Sequence, residues 1–408
     1  MSAPLTKTDL PAGFSFAAMH CGLKKSRPDL AILVSESPAT AAAMFTQNRV
    51  AAAPVVVSRA HARKSAHRMR GIVVNSGNAN CCSGRRGIAA SLETARAMAR
   101  AMAQESGKTD AAQILVCSTG VIGVPLRVEK ILHGIPHLVR TRSADAAAFT
   151  EFAHAIMTTD LVPKWAAAKC RVSGKTVRVA GCAKGSGMIH PNMATMLAFL
   201  ISDVAISPAL LARALRSAVA PSFNSITVDG DTSTNDTVTV LANGSSGARK
   251  IAAVNGDYHK FCAALKSVCH SLALAIVADG EGAQRIIEIE VRGAPSDRAA
   301  DQIARTIANS PLVKTAFAGG DPNWGRILAA AGRAGVAFDP QRAGIRLAGL
   351  EVCRRGQERR FDERDAHQRM MSKHVPVLVD LRAGSGRARI WTCDFTGDYV
   401  RINASYRS

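Results

Sequence analysis

The chain has 408 residues, more than a single core usually holds, so two or more packed units are expected, each large enough to bury an interior without staples. Apolar residues make up 47% and charged residues 20%, and no run of eighteen consecutive apolar residues occurs, which argues against a membrane protein. Lys and Arg outnumber Asp and Glu 52 to 31, a net charge of +21 that raises nucleic acid as a partner, but only 4% of residues are aromatic.

In chain order, Met1–Phe16 carries Lys7 and Asp9 but no basic stretch leading into an apolar run, so no secretory signal is expected. Leu30–Val34, Pro54–Val57 and Gly71–Val74 are short apolar runs rich in β-branched residues and predict strands. Arg59–Arg70, with Arg63, Lys64 and Arg68, is the densest basic run; it lacks the rings that stack on bases, so a solvated basic face is expected there and no specific nucleic acid. The Ala-rich stretch Ile88–Gln104 predicts a helix, and Gln113–Cys117 a strand that ends at a tight Ser118-Thr119-Gly120 turn. Cys170–Lys184 is a glycine-interrupted, hairpin-like stretch. Further on, Tyr258–Val277 predicts a helix, Ile286–Val291 a strand, and Arg298–Asn309 a helix opened by Ser296 and Asp297. This is an α/β grammar without a linker, pointing to two intimately packed parts. Ten scattered cysteines without a CxxC pair are expected to be reduced thiols of a cytoplasmic protein, with no metal site.

The most unusual segment is Lys184-Gly-Ser-Gly-Met-Ile-His-Pro-Asn-Met-Ala-Thr195-Met-Leu, in which glycines and Pro191 lead to Ala194-Thr195 and then to an apolar, strand-like run ending at Ile201. It has neither the Walker order nor the Rossmann glycine spacing. This segment closely resembles the ornithine acetyltransferase family, in which the protein itself cuts the Ala-Thr bond. Similar blocks follow through nearly the whole chain: Asn75–Asn80, Cys117–Gly123, Thr158–Asp160, Asp229–Asp236, Asp279–Ala283, Gly319–Arg326 and Tyr399–Tyr406.

The resemblance implies an α/β scaffold of packed sheets and helices, self-processing around a Thr nucleophile and related to the aminopeptidase-like autoproteolytic fold. Cleavage between Ala194 and Thr195 would yield an α chain, 1–194, and a β chain, 195–408, assembled as a heterotetramer of two copies of each. The activity implied is transfer of acetyl from N-acetylornithine to glutamate in arginine biosynthesis. A hydroxyl is a poor nucleophile until a base takes its proton, and cleavage would give Thr195 its own base, an α-amine of reference pKa about 7.7 to 8.0. Both half-reactions of such a ping-pong scheme pass through an oxyanion, and the resemblance assigns its stabilisation to Thr119 and Gly120. It assigns substrate contacts to Thr158, Lys184, Thr195, Glu281, Asn403 and Ser408; Lys184 suits a carboxylate and Glu281 an ammonium.

From the residues alone, Thr119-Gly120 would be an ordinary turn, Lys184 a surface lysine and Glu281 a loop residue. His190 is left out of the site, since no acidic residue near it in sequence could orient an imidazole. The chain departs from the family's usual pattern at Leu161, at Cys81-Cys82 and at Ser408, where threonine, Ala-Cys and threonine are common. A self-processing amidohydrolase in which water resolves the intermediate remains the alternative, and a basic nucleic-acid-binding protein is the rival from another class. No cofactor is expected; whether acetyl-CoA is also a co-substrate stays open.

Overall fold

The structure, a computed structural model, describes residues 6–107, 109–190 and 196–405. The chain forms two compact units, residues 1–185, 192–224 and 231–276 in one, and 186–191, 225–230 and 277–408 in the other. The first unit draws on both sides of the Ala194–Thr195 bond.

In the first unit the strands are β1 (Phe14–Met19), β2 (Leu30–Phe45), β3 (Arg68–Asn78), β4 (Ile114–Val121), β5 (Lys164–Val172), β6 (Lys175–Lys184), β7 (Leu197–Ser202) and β8 (Thr237–Ala242). The helices are α1 (Ala53–Lys64), α2 (Gly84–Ser106), α3 (Val128–Thr141), α4 (Ala146–Ala155), α5 (Pro208–Val219) and α6 (Gly256–Ala278). The strands make one mixed sheet in the order β4-β3-β2-β8-β7-β6-β5, with β1 paired to β2; β3–β4 and β7–β8 are parallel and the other pairs antiparallel. The first half of β2 is unbroken in hydrophobicity because both faces of the sheet are covered: Leu30, Ile32 and Val34 pack with Met98, Ile131 and Ile135, while Ala31 and Leu33 pack with Phe149, Phe152 and Phe199. Phe152 sits edge-on between Phe16 and Phe199.

Pro54–Val57 is helical, not a strand. Pro54 lies in the first turn of α1, where its missing N–H costs nothing, and Ser58 on the same helix exchanges hydrogen bonds with the backbone of Val116 at 2.7 and 2.8 Å. Three consecutive valines carry no periodicity that separates helix from strand. Arg63, Lys64 and Arg68 are exposed, as a solvated face requires, whereas Arg70 is buried. Helix α6 is 23 residues long and contains an 18-residue window of mean hydropathy 1.8, enough by length and composition to cross a membrane. Its apolar stripe Phe261, Leu265, Val268, Leu272 and Ile276 is buried in protein, and His259, Lys260, Lys266 and Ser267 face out, the pattern of an amphipathic core helix.

The second unit contains β9 (Ile286–Ala294), β10 (Gly344–Leu347), β11 (Leu350–Arg354), β12 (Gln357–Glu358), β13 (His374–Asp380) and β14 (Gly386–Cys393), in the order β12-β11-β10-β13-β9-β14. Its helices are α7 (Asp297–Ala308), α8 (Pro311–Ala318), α9 (Trp324–Gly332), α10 (Glu363–Met370) and α11 (Gly397–Ala404). Strand β9 alternates: Ile287, Ile289 and Val291 enter the core with Ile303 and Ile307 of α7, while Glu288 and Glu290 face out toward Arg389. Ser296 caps α7 by accepting the Ala299 N–H, as its sequence predicts. The mixed α/β class expected from the sequence is the class found.

Candidate active site

Strand β4 does not turn at Ser118-Thr119-Gly120; it continues to Val121 beside β3, with Thr119 opposite Ser76 and Gly120 opposite Gly77. The irregularity is a bulge at Asn78, which pairs with both Thr119 and Val121. Gly120 has φ +129°, and a Cβ there would lie 2.4 Å from the carbonyl carbon of Gly77. No larger residue fits that close approach. Asn75 locks the neighbouring backbone by accepting from the Ser118 hydroxyl at 2.6 Å and donating to the Asn78 carbonyl at 2.9 Å.

A second group of residues reaches the same strand from far along the chain. The Asn235 side-chain amide donates to the carbonyls of Ser118 (2.8 Å) and Ala79 (2.7 Å). Its neighbour Asp236 accepts the Met196 N–H at 3.0 Å, and Thr237 N–H donates to the Met196 carbonyl. Asn235-Asp236 thus ties the residue before Thr119 to the residue after Thr195. Ala194, Thr195 and Ser408 themselves lie outside the described residues.

Thr158 and Lys184 meet through a buried carboxylate. Asp160 accepts from Thr158 N–H at 2.9 Å, from Gly185 N–H at 2.7 Å and from the Lys164 ammonium at 2.6 Å, and Lys184 Nζ reaches the Thr158 hydroxyl at 3.3 Å. Lys184 is 4% exposed, so it is no surface lysine. Burial opposes the charge on Asp160, but the Lys164 and Lys184 ammoniums and the hydrogen bonds outweigh it and hold its pKa down to about 2. A folded pKa below the unfolded value of about 3.9 contributes stability above that pH and loses it as pH falls toward 2. Asp160→Asn should therefore cost about 3 to 5 kcal/mol at pH 7, where it strands buried lysines, and less at pH 3, the difference closing only as pH falls below about 2. Guanidinium unfolding of both proteins at the two pH values measures this; a pH-independent difference would contradict it.

Lys24, which sequence reasoning missed, lies between these groups. Its Nζ donates to the carbonyls of Met157 (2.7 Å) and Pro28 (3.1 Å), and its stem packs 3.0 Å from where a Gly77 Cβ would stand. Asp29 fixes its loop by accepting the N–H groups of Cys21, Leu23 and Lys24, and burial pushes the Lys24 pKa down to about 8. Nothing in the local sequence distinguishes Lys24 from Lys25.

In the second unit Glu281, 6% exposed, accepts from the Asn403 side-chain amide at 2.8 Å, and its N–H donates to the Ser186 carbonyl at 2.9 Å. A Cβ on Gly187 would fall 2.4 Å from the Glu281 carboxyl, so a larger residue there would push that carboxyl out of its place. Asp229 accepts from Met188 N–H and from Ile189 N–H, the latter at 2.9 Å, with Met188 held at φ +57°. His190 lies beside the Asn309 amide at 3.2 Å and the Thr227 hydroxyl at 3.5 Å. Lys314, also unforeseen, is fully buried, donates to Thr392 Oγ1 at 2.8 Å and sits over Phe395, which stacks on Tyr399 of the helix that carries Asn403. Leu161, by contrast, is 79% exposed. Among the described residues no three His, Cys, Asp or Glu side chains converge as metal ligands.

The profile of the ArgJ family matches residues 15–408. The arginine biosynthesis bifunctional protein ArgJ of Thermotoga neapolitana is 46% identical over 403 residues, 98% of this chain and 100% of that protein. The protein of the same description from Synechococcus sp. is 47% identical over 406 residues, 97% of this chain and 96% of that one. A crystal structure of the Bacillus halodurans ArgJ protein is 40% identical, with a TM-score of 0.50, and covers 52% of this chain and 100% of its own. These matches put the chain among the enzymes of arginine biosynthesis. More narrowly, it belongs to the ArgJ family.

Proposed function

We propose that this chain is an acetyltransferase that moves the acetyl group of N-acetylornithine to glutamate through an acetyl-Thr195 intermediate, after cutting itself between Ala194 and Thr195. The observation that carries the reading is the Asn235-Asp236 tie, which secures the Ser118 carbonyl next to Thr119 and the Met196 N–H next to Thr195. Nucleophile and oxyanion donors must be fixed against one another, and a small displacement there is costly.

Attack of the Thr195 hydroxyl on the Ala194 carbonyl gives an ester that water opens, freeing the α-amine of Thr195. That amine then takes the hydroxyl proton as Thr195 attacks the acetyl carbonyl and passes it to the ornithine nitrogen as the carbon–nitrogen bond breaks; the amine of glutamate next attacks the acetyl ester, and its proton travels by the same α-amine to the departing Thr195 oxygen. Thr119 and Gly120 donate to the oxyanion in both half-reactions. Lys184, with Thr158, is assigned to a substrate carboxylate and Glu281, with Asn403, to an ammonium; Thr195 and Ser408 complete the contacts. No cofactor takes part. The assembly is two α and two β chains, in a cytoplasmic setting that ten unpaired cysteines support.

Self-cleavage is supported by a length: the C-terminal fragment, 408 minus 194 or 214 residues, would be about 52% of the chain, the share that the whole Bacillus halodurans chain covers. Intact-mass spectrometry of active protein should show fragments of 194 and 214 residues; full-length chain alone in an active preparation would overturn the cleavage. Labelled N-acetylornithine should yield acetylglutamate when glutamate is present, and release of acetate instead would identify the amidohydrolase alternative. A second activity, with acetyl-CoA as donor, is the reading that the relatives' description as bifunctional favours. Glutamate and acetyl-CoA without N-acetylornithine test it.

A further inference from the structure

Cys81 and Cys82 take no part in the chemistry proposed so far, yet the fold brings their two thiols together. Of the ten cysteines, all of them described, only Cys82 is exposed, whereas Cys81 is 1% exposed. Their sulfur atoms stand 3.8 Å apart, with Cys82 held at φ +58°. The Cys81 sulfur also lies 3.7 Å from the Val50 carbonyl oxygen and faces the Thr234 hydroxyl, and burial pushes the pKa of this thiol up. An accessible thiol beside a second one is the arrangement in which the first is oxidised and the second resolves the product.

Cys82 opens onto a cavity of about 250 Å³ lined also by Asn80, Ser83, Arg86 and Gly123. Two polar atoms there have no hydrogen-bond partner among the described residues: Oδ1 of Asn80, a side chain 1% exposed, and the buried Oγ of Ser83. The first is an acceptor and the second can donate, which matches a small molecule that does both, as a peroxide does. Ser83 precedes α2, whose first N–H groups receive no side-chain cap; with the Arg86 guanidinium they favour the negative charge that builds on a departing hydroxide.

We propose that Cys81–Cys82 is a modification site for peroxide, closing to a disulfide between neighbouring residues that slows turnover by displacing the strand of Thr119 and Gly120. The Cys82 sulfur attacks one peroxide oxygen, the O–O bond breaks, and hydroxide leaves with the thiol proton as water, giving a sulfenic acid. The Cys81 sulfur then attacks that of Cys82, the S–O bond breaks, and the departing hydroxide takes the Cys81 proton. Two thiols and one hydrogen peroxide thus give one disulfide and two waters, the sulfurs being oxidised and the peroxide oxygens reduced. To bond, the sulfurs must close from 3.8 Å to about 2.05 Å. Adjacent Cα atoms, about 3.8 Å apart, are also nearer than the roughly 4.4 to 6.8 Å that disulfides prefer. The ring is therefore strained and readily reduced, which suits a reversible mark and not a permanent bridge. The strain reaches β4 through hydrogen bonds: Gly123 N–H donates to the Cys81 carbonyl at 3.1 Å, and Ala79 N–H to the Val121 carbonyl at 2.9 Å. Cys81 packs with Ala52, Ala79 and Ile122 besides. A shift of about 1 Å at an oxyanion donor can cost about 10²-fold in rate. The effect on turnover rests on the acetyl-transfer reading; the oxidation does not.

The test treats purified protein with hydrogen peroxide, then unfolds it, labels it with iodoacetamide and maps each cysteine by mass spectrometry. Cys81 and Cys82 should lose their labelling together, on a peptide lighter by two hydrogen atoms, and dithiothreitol should restore it. Over the same time kcat should fall about 10-fold or more, with KM for N-acetylornithine little changed, and dithiothreitol should restore the rate. Cys82→Ser and Cys81→Ala, which cannot form the ring, should start at the wild-type rate and keep it under peroxide. The proposal is overturned by Cys82 passing to sulfinic acid with Cys81 still labelled, by a bond from Cys82 to another cysteine, or by a ring that forms with kcat unchanged. Equal loss of rate in the variants overturns it too, since the sensitive group would then lie elsewhere. Reduced protein that transfers no acetyl group would instead sink the proposed function, and the labelling would still uphold or overturn the ring.

Discussion

Thr195→Ala should remain a single chain of 408 residues and lose acetyl transfer by roughly 10⁴-fold or more, because in the proposed mechanism one hydroxyl would perform both reactions. Thr195→Ser keeps the hydroxyl but frees the χ1 rotor that the γ-methyl restricts, so it should cut slowly, with activity appearing as the fragments do. Mass spectrometry over time, paired with transfer of labelled acetyl, follows both. An uncut Ala variant that transferred acetyl at the wild-type rate would remove Thr195 as nucleophile and require direct transfer. In wild type given N-acetylornithine alone, acid quenching should trap one acetyl group on the peptide that begins at Thr195.

The second large effect is expected at Thr119. Its backbone is pinned by the β3–β4 ladder opposite Ser76 and by the Asn235 bond to the Ser118 carbonyl, so Thr119→Ala removes the side chain with little shift of the strand. Losing one donor to a developing oxyanion lowers kcat by about 10²-fold or more, while KM changes little because ground-state contacts survive. Thr119→Ser keeps the hydroxyl and should recover most of the rate. Equal turnover in wild type and the Ala variant would take Thr119 out of the mechanism.

What was legible in the sequence depended on the range of the interaction that fixes each residue. Leu30–Val34, the helix opened by Ser296 and the hairpin ending at Lys184 are set by local patterning and capping, and they stand where expected. Pro54–Val57 misled because its helical state comes from packing against Val116, 58 residues from Ser58. The end of β4 misled for a related reason: Ser-Thr-Gly reads as a turn until Gly77 of the parallel neighbour is seen to demand the close approach. The family resemblance singled out Thr119, Gly120, Thr158, Lys184, Glu281 and Asn403, and the structure adds the partners of each. Lys24, Asp160, Asp236 and Lys314 owe their character to burial and to partners distant in sequence, which no short motif encodes.

In the sheet of the first unit, strands from the two sides of the Ala194–Thr195 bond are interleaved: β4, β3 and β2, then β8 and β7, then β6 and β5. A cut there would leave β7 and β8 of one fragment inserted between β2 and β6 of the other, joined by the Thr40–Ala242 and Lys184–Leu197 ladders. During synthesis these strands find their slots within one molecule, at the high effective concentration that a tether supplies. Afterwards the same search would run between separate chains, at a rate set by their dilution. Cleavage would thus make folding a one-way event, so that the durability of the mature enzyme is governed by how slowly the sheet opens, a kinetic rather than an equilibrium stability.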